Sequence, residues 1–157
     1  MGKIIELDTD LVIPSQAEMS DVLLQKFLVE YFYFKKDILV PIKKSNIENK
    51  FYLIDGHHRA SSIHLLKKLN PKFKMYGWIV EDKNDFIGKL PQNFYQQEGT
   101  IRFMNRQIFE RFENVENYLI NYPKSIEDLC GKYGFMKSPE IMLDSFFSRE
   151  EITDFFS

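Results

Sequence analysis

The densest group of chemically able side chains in the chain is Asp55-Gly56-His57-His58-Arg59. It follows the apolar run Phe51-Tyr52-Leu53-Ile54 and precedes Ala60-Ser61-Ser62-Ile63. A strand, a glycine turn and a helix start, in that order, make an anion site. The first turn of a helix has main-chain N–H groups without partners and a partial positive charge, and both suit phosphate. Gly56 lets the backbone turn sharply and lets an oxyanion come close. Arg59 can add a charge-assisted fork, and Ser61 lies near enough along the helix to touch a phosphate oxygen. His57 and His58 offer further donors, charged near neutral pH if a phosphate raises their basicity. Asp55, at the strand end, faces the same space. Beside a phosphate, a carboxylate holds Mg²⁺ or takes the proton of an attacking hydroxyl.

A glycine turn between strand and helix is common, and a single Asp, His or Arg beside one is usually structural. Two adjacent histidines with an acid and a guanidinium around one glycine point to a ligand instead. Zinc is disfavoured. His57, His58 and His64 are the only histidines, neighbouring residues share one metal poorly, and His64 lies well down the helix.

The elements that must position this turn are legible from periodicity. Lys3–Leu7 is an apolar opening strand, and residues 11–20 read as a loop with a Pro14-Ser15-Gln16 turn. Ser20 caps a helix over Asp21–Phe34, in which Val22, Leu23, Phe27, Leu28, Tyr31 and Phe32 recur at helical spacing. Residues 40–43 and 51–54 are two strands joined by a polar hairpin connection. A second helix over about residues 58–69 ends at Asn70-Pro71, and residues 72–80 form a further strand holding Trp78 in the core. Residues 3–80 thus make one compact α/β unit. Residues 82–99 carry no clear pattern. Residues 100–122 have the spacing of a helix, and Ser125 with Asp128 and Ser148 with Glu151 are spaced as capping boxes. Pro139 suits another helix start, and the Phe146-Phe147 and Phe155-Phe156 pairs suit packing on the core. The expected class is α+β: an α/β core over residues 1–81, and a mainly helical extension over 82–157 packed on it.

With 157 residues the chain suits one domain, and 15 Phe and 8 Tyr supply enough ring area for a normal core. A formal net charge of −2 offers no general attraction for nucleic acid or an anionic membrane. The charge is uneven, however. Residues 1–80 hold 12 Lys/Arg against 9 Asp/Glu, whereas 81–157 hold 9 against 14, so the candidate phosphate loop lies in the basic half. Cys130 is the only cysteine, which rules out a disulfide framework or a cysteine zinc site and suits a reducing compartment. The opening residues lack a signal pattern and no run is long enough to span a bilayer, so a cytoplasmic protein without membrane contact is expected.

The run Leu53-Ile54-Asp55-Gly56-His57-His58-Arg59-Ala60 resembles the signature of the ParB/sulfiredoxin superfamily, in particular its DGHHR branch of ParB-like nuclease domains and free-serine kinases. The likeness covers roughly residues 3–81. It implies a compact core with a mixed sheet, preceded at the first helix by a Pro-x-Gln or Pro-x-Glu loop. In the sulfiredoxins a cysteine is the redox nucleophile where this chain has His57, so sulfinic-acid reduction is not expected. In ParB proteins a Gly-x-x-Arg motif binds a nucleotide triphosphate, and Gly56 and Arg59 match it. The second ParB nucleotide motif and a helix-turn-helix are not found, and residues 113–117 lack the expected basic residue. In the serine kinases the Asp of the motif and a Glu of the early loop serve phosphoryl transfer. Asp55 matches the first. At the second the chain has Gln16, which cannot act as a base, with Glu18 two residues on.

The resemblance therefore implies a nucleotide-binding phosphotransferase or NTP hydrolase, taking ATP, ADP or CTP with Mg²⁺ and a small hydroxyl acceptor. Gly56, His57, His58, Arg59, Ser61 and Gln16 would surround the nucleotide, and Asp55 with Glu18 would serve the metal or the acceptor. Two alternatives stand beside it. One is a ParB-like DNA-associated protein or nuclease, against which the charge argues. The other is a non-catalytic regulatory or interaction module that lost the acid at Gln16.

Overall fold

The computed structural model describes residues 3–34, 38–82, 87–88, 101–102, 110, 112–117, 123–131 and 147–156. The fold is α+β. Strands β1 (Lys3–Leu7), β2 (Val12–Ile13), β3 (Ile38–Lys44), β4 (Phe51–Leu53) and β5 (Met75–Ile79) form one mixed sheet in the order β1-β5-β3-β4-β2. β3 is central, parallel to β5 and antiparallel to β4. β1 runs antiparallel to β5, and β2 parallel to β4. Helices α1 (Asp21–Phe34) and α2 (His57–Leu69) pack against each other.

Alternation along the strands builds two cores, because successive side chains leave opposite faces of a sheet. Ile38, Val40 and Ile42 of β3 join Leu53, Met75 and Ile79 against Leu24 and Leu28 of α1 and Ala60, Ile63 and Leu66 of α2. Leu39, Tyr52, Ile54 and Trp78 point the other way, where Phe112 and Val115 cover them. β3 reads as a continuous apolar run for this reason: both of its faces are buried. Trp78, 3% exposed, belongs to the second core as its strand position implies. Lys43 fastens the cover. Its ammonium donates to the Phe112 carbonyl at 2.8 Å, lies 3.1 Å from a Glu116 oxygen, and sits 4.7 Å from the centre of the Phe112 ring.

Two short helices of the second half dock on the first core: α3 (Ile126–Cys130) and α4 (Arg149–Phe156). Ile126, Leu129 and Cys130 are buried in it, and Phe147 and Ile152 pack against it. Both expected caps form. The Ser125 hydroxyl accepts the Asp128 N–H at 3.1 Å, and Ser148 and Glu151 cap each other reciprocally at 3.0 and 3.2 Å. A polar chain ties α3 to α2. The Thr9 hydroxyl meets His64 Nδ1 at 2.7 Å, His64 Nε2 meets Glu127, and Lys68 reaches Glu127 at 2.8 Å. The hydrogen bond from Lys68, and then that from His64, hold the Glu127 carboxyl below the usual carboxylate range.

Two expectations need correction. Residues 11–20 are not all loop: Val12 and Ile13 pair with Phe51 and Tyr52 as an edge strand, after a 3-10 turn over Thr9–Leu11 capped by Asp8. A strand of two residues has too little alternation to show in sequence. Likewise Ile101–Arg102 does not begin a helix. It pairs antiparallel with Ile87–Gly88, a cross-strand contact that overrides the helical spacing of its apolar residues. Pro139, Phe146 and the side chains of Phe155 and Phe156 lie outside the described residues.

Candidate functional site

The strand–turn–helix junction is built as its residues require. β4 is carried into the core by Tyr52, Leu53 and Ile54, the last of which donates its N–H to the Pro41 carbonyl at 3.1 Å. The chain then turns through Gly56 at φ 83° and ψ 31°, the left-handed region, and α2 begins at His57. A Cβ at Gly56 would stand 2.8 Å from Val40 Cγ1, so the position demands glycine on two counts, conformation and space.

Gly56, the cap residue of α2, offers no side chain to the first amides of the helix. The first intrahelical bond runs from the Ala60 N–H to the Gly56 carbonyl at 2.9 Å. The main-chain N–H groups of His58 and Arg59 therefore have no acceptor among the described residues. Beside them the half-buried Asp55 carboxylate makes no hydrogen bond or ion pair with any described residue. The same holds for the half-buried Arg59 guanidinium, whose partner is a ring: it lies 5.5 Å from the centre of Phe27 on α1. A carboxylate, a guanidinium and two main-chain amides thus share one helix end.

The two histidines are placed differently from the sequence expectation. His57 is 2% exposed, and its Nε2 accepts the Ser15 N–H at 2.8 Å. His58 Nε2 accepts the Ser20 N–H, also at 2.8 Å. A ring nitrogen that accepts an amide proton carries none of its own, so neither Nε2 can donate to an anion. Burial pulls the His58 imidazole below its ordinary value, and the Asp55 carboxylate partly opposes this. Ser61 is fully buried, and its hydroxyl donates to Met19 Sδ at 3.2 Å, so it faces the core.

Both histidine contacts fall on the loop between β2 and α1. Ser15 is fastened a second time, its hydroxyl donating to the Leu53 carbonyl. The Gln16 side-chain amide closes back on the Glu18 carbonyl at 2.6 Å. The fold thereby lays the loop that carries Gln16 and Glu18 along the first turn of α2. The exposed Glu18 carboxylate has no hydrogen bond or ion pair with a described residue. Ser15, Ser20 and Phe27 are the site residues that sequence reasoning missed. Ser15 and Ser20 meet their partners across 42 and 38 positions of chain and Phe27 meets Arg59 across 32, separations no local pattern encodes.

Cys130 is buried beside Ser61. Burial pushes its thiol up to about 11, so at neutral pH it is a protonated core side chain rather than a nucleophile. Among the described residues no group of three or more His, Cys, Asp and Glu side chains is arranged to hold a metal ion. No described helix is long and apolar enough to cross a membrane.

No protein-family model matches the chain, and no curated protein does. Among solved structures, the chain is similar to the crystal structure of protein Atu1540 from Agrobacterium tumefaciens, at 17% identity and a TM-score of 0.45 over 97% of this chain and 85% of that one. That likeness is slight. The site's own geometry has to carry the functional conclusion.

His57 gives a direct check on that geometry. In the variant His57→Leu the Ser15 N–H is left buried without its acceptor, which costs about 1–3 kcal/mol. Urea unfolding should show the loss as a lower midpoint, and His57→Gln, which keeps an acceptor, should recover part of it. Equal midpoints for His57→Leu and the natural chain would mean that the loop is not held by this ring.

Proposed function

We propose that this protein binds the phosphates of a nucleotide at the start of α2 and belongs with the ParB-like proteins whose Asp-Gly-His-His-Arg turn it shares. The observation that carries this is the open helix end: two main-chain N–H groups, a guanidinium and a carboxylate that have no hydrogen-bond or ion partner among the described residues, with a left-handed glycine beside them. Oxyanions bind helix starts of this kind. The contacts fall to the amides of His58 and Arg59 and to the Arg59 guanidinium. The imidazoles and Ser61 are engaged within the fold and act by shape.

Asp55 suits Mg²⁺ because that ion takes one or two carboxylates and fills its remaining positions with water and phosphate oxygens. Mg²⁺, when bound, would neutralise phosphate charge. The phosphotransferase chemistry follows from the same carboxylate. An acceptor hydroxyl oxygen attacks the terminal phosphorus, the nucleotide shortened by one phosphate leaves with the bridging oxygen (a diphosphate from ATP or CTP, a monophosphate from ADP), and the hydroxyl proton passes to Asp55. Glu18 stands on the neighbouring loop as the second acid. Gln16 cannot take that part, since an amide is no base and its nitrogen is engaged with Glu18.

Calorimetry with Mg²⁺ and ATP, ADP or CTP tests the binding step. A saturable heat is expected with at least one nucleotide, and none at millimolar concentration ends the proposal. The amide at Gln16 also suits a non-catalytic regulatory module. Asp55→Asn separates the two. A phosphotransferase loses turnover of the bound nucleotide by at least about a hundredfold, the lower range of general-base catalysis. A regulatory module shows no turnover to lose.

A further inference from the structure

His57 and His58 grip one loop at its two ends. Ser15 is held by the first and Ser20 by the second, each at 2.8 Å, with Gln16 and Glu18 between them. Both contacts require an imidazole nitrogen that bears no proton. The two rings differ in access: His57 is 2% exposed, whereas His58 is half-buried and within reach of protons from solvent.

We propose that His58 is a proton-operated latch: neutral, it holds Ser20 and the loop bearing Gln16 and Glu18 against α2, and protonated, it lets them go. In the imidazolium both ring nitrogens carry hydrogen, so Nε2–H faces the Ser20 N–H and attraction becomes repulsion. Ser20 is a sensitive place to let go. Its hydroxyl accepts the Leu23 N–H at 3.3 Å and its carbonyl accepts the Leu24 N–H at 2.9 Å, so it caps α1. The charged groups on the elements around His58 are Asp55 on the turn, Arg59 on its own helix, Glu18 on the loop, and Asp21 and Lys26 on α1. Asp55 is the one whose field favours the imidazolium, and burial outweighs it.

The sign follows from the depressed native value. In the unfolded chain the imidazole protonates first as pH falls, so the latch is whole above the ordinary histidine value and is lost as pH drops through the lower native one. The functional consequence rests on the phosphate site proposed above: an anion at the His58 and Arg59 amides favours the imidazolium, so phosphate and proton would each raise the other's affinity.

Amide NMR on the full chain, without ligand, tests the latch. Between about pH 7.5 and about pH 5 the Ser20 amide should titrate with a midpoint below the ordinary histidine value, and its protection against solvent exchange, taken relative to the intrinsic rate at each pH, should fall about tenfold or more. Ser15, held by the shielded His57, should not follow it, which separates unlatching from acid unfolding. In His58→Gln, which keeps an acceptor and cannot protonate, Ser20 should stay flat. A Ser20 amide that ignores pH in the natural chain, or titrates unchanged in His58→Gln, overturns the proposal. Should His58→Gln not fold, coincidence of the His58 ring titration with that of Ser20 decides instead, and separate midpoints refute the latch. Repeating the series in inorganic phosphate should raise the midpoint. A latch that titrates while phosphate leaves its midpoint unmoved stands, and the anion site falls.

Discussion

Arg59→Ala is expected to weaken Mg²⁺–nucleotide binding by about ten- to a hundredfold while leaving the fold intact. A hydrogen bond to a charged group is worth about 1.5–3 kcal/mol, and each 1.4 kcal/mol is tenfold in affinity. The half-buried setting of this guanidinium places it in the middle of that range, because water screens part of the charge. The fold should hardly notice. Arg59 has no hydrogen bond or ion pair with a described residue, and the contact with Phe27 contributes about 0.5–1 kcal/mol. Arg59→Lys should recover only part of the affinity, since a lysine keeps the charge and loses the planar fork. Calorimetry on the three proteins, paired with thermal melts, separates lost binding from lost folding. Affinities equal within twofold would put the phosphate somewhere other than the start of α2.

Gly56→Ala should destabilise the protein by about 2–5 kcal/mol. Two costs add. A residue with a Cβ in the left-handed region gives up about 1–2 kcal/mol. The new methyl would also stand 2.8 Å from Val40 Cγ1, and Val40 is fully buried at the centre of β3, with little room to yield. Overpacking of that kind costs about 1–3 kcal/mol. A double-mutant cycle isolates the second cost. In a Val40→Ala background the same change should lose only the backbone part, because the methyl it strikes has gone. Denaturant unfolding of the four proteins measures this. A Gly56→Ala protein with an unaltered midpoint would mean that the turn is not left-handed.

The latch and the two substitutions bear on one small region, and they differ in what they disturb. Arg59→Ala removes a ligand contact, Gly56→Ala removes the turn that aims the amides, and protonation of His58 moves the loop opposite. Arg59→Ala should therefore lower binding and spare melting, whereas Gly56→Ala should lower both. A melting loss in Arg59→Ala as well would mean that the region is held together more tightly than its hydrogen bonds imply.

Much of the fold was already determined by local chemistry. The positions of α1, α2, β1, β4 and β5 follow from apolar spacing, although Val22 and Leu23 of the α1 pattern are exposed and Leu24 is buried instead, and the Ser20, Ser125 and Ser148 caps follow from side chains that bond amides three residues away. Gly56 and the run around it announced a turn with a helix behind it for the same reason: conformation there depends on immediate neighbours. Tertiary structure alone decided the sheet order, the parallel pairing of Val12 and Ile13 with β4, and which residues, Phe112 and Val115, cover Trp78. It also set the task of each histidine. Sequence places His57, His58 and Ser61 together beside the glycine, but a side chain's partners depend on what the rest of the chain brings within reach. Here that is Ser15, Ser20 and Met19, which take up the groups the sequence offers to a ligand, while the His58 and Arg59 amides and the Asp55 and Arg59 side chains keep no hydrogen bond or ion pair with a described residue.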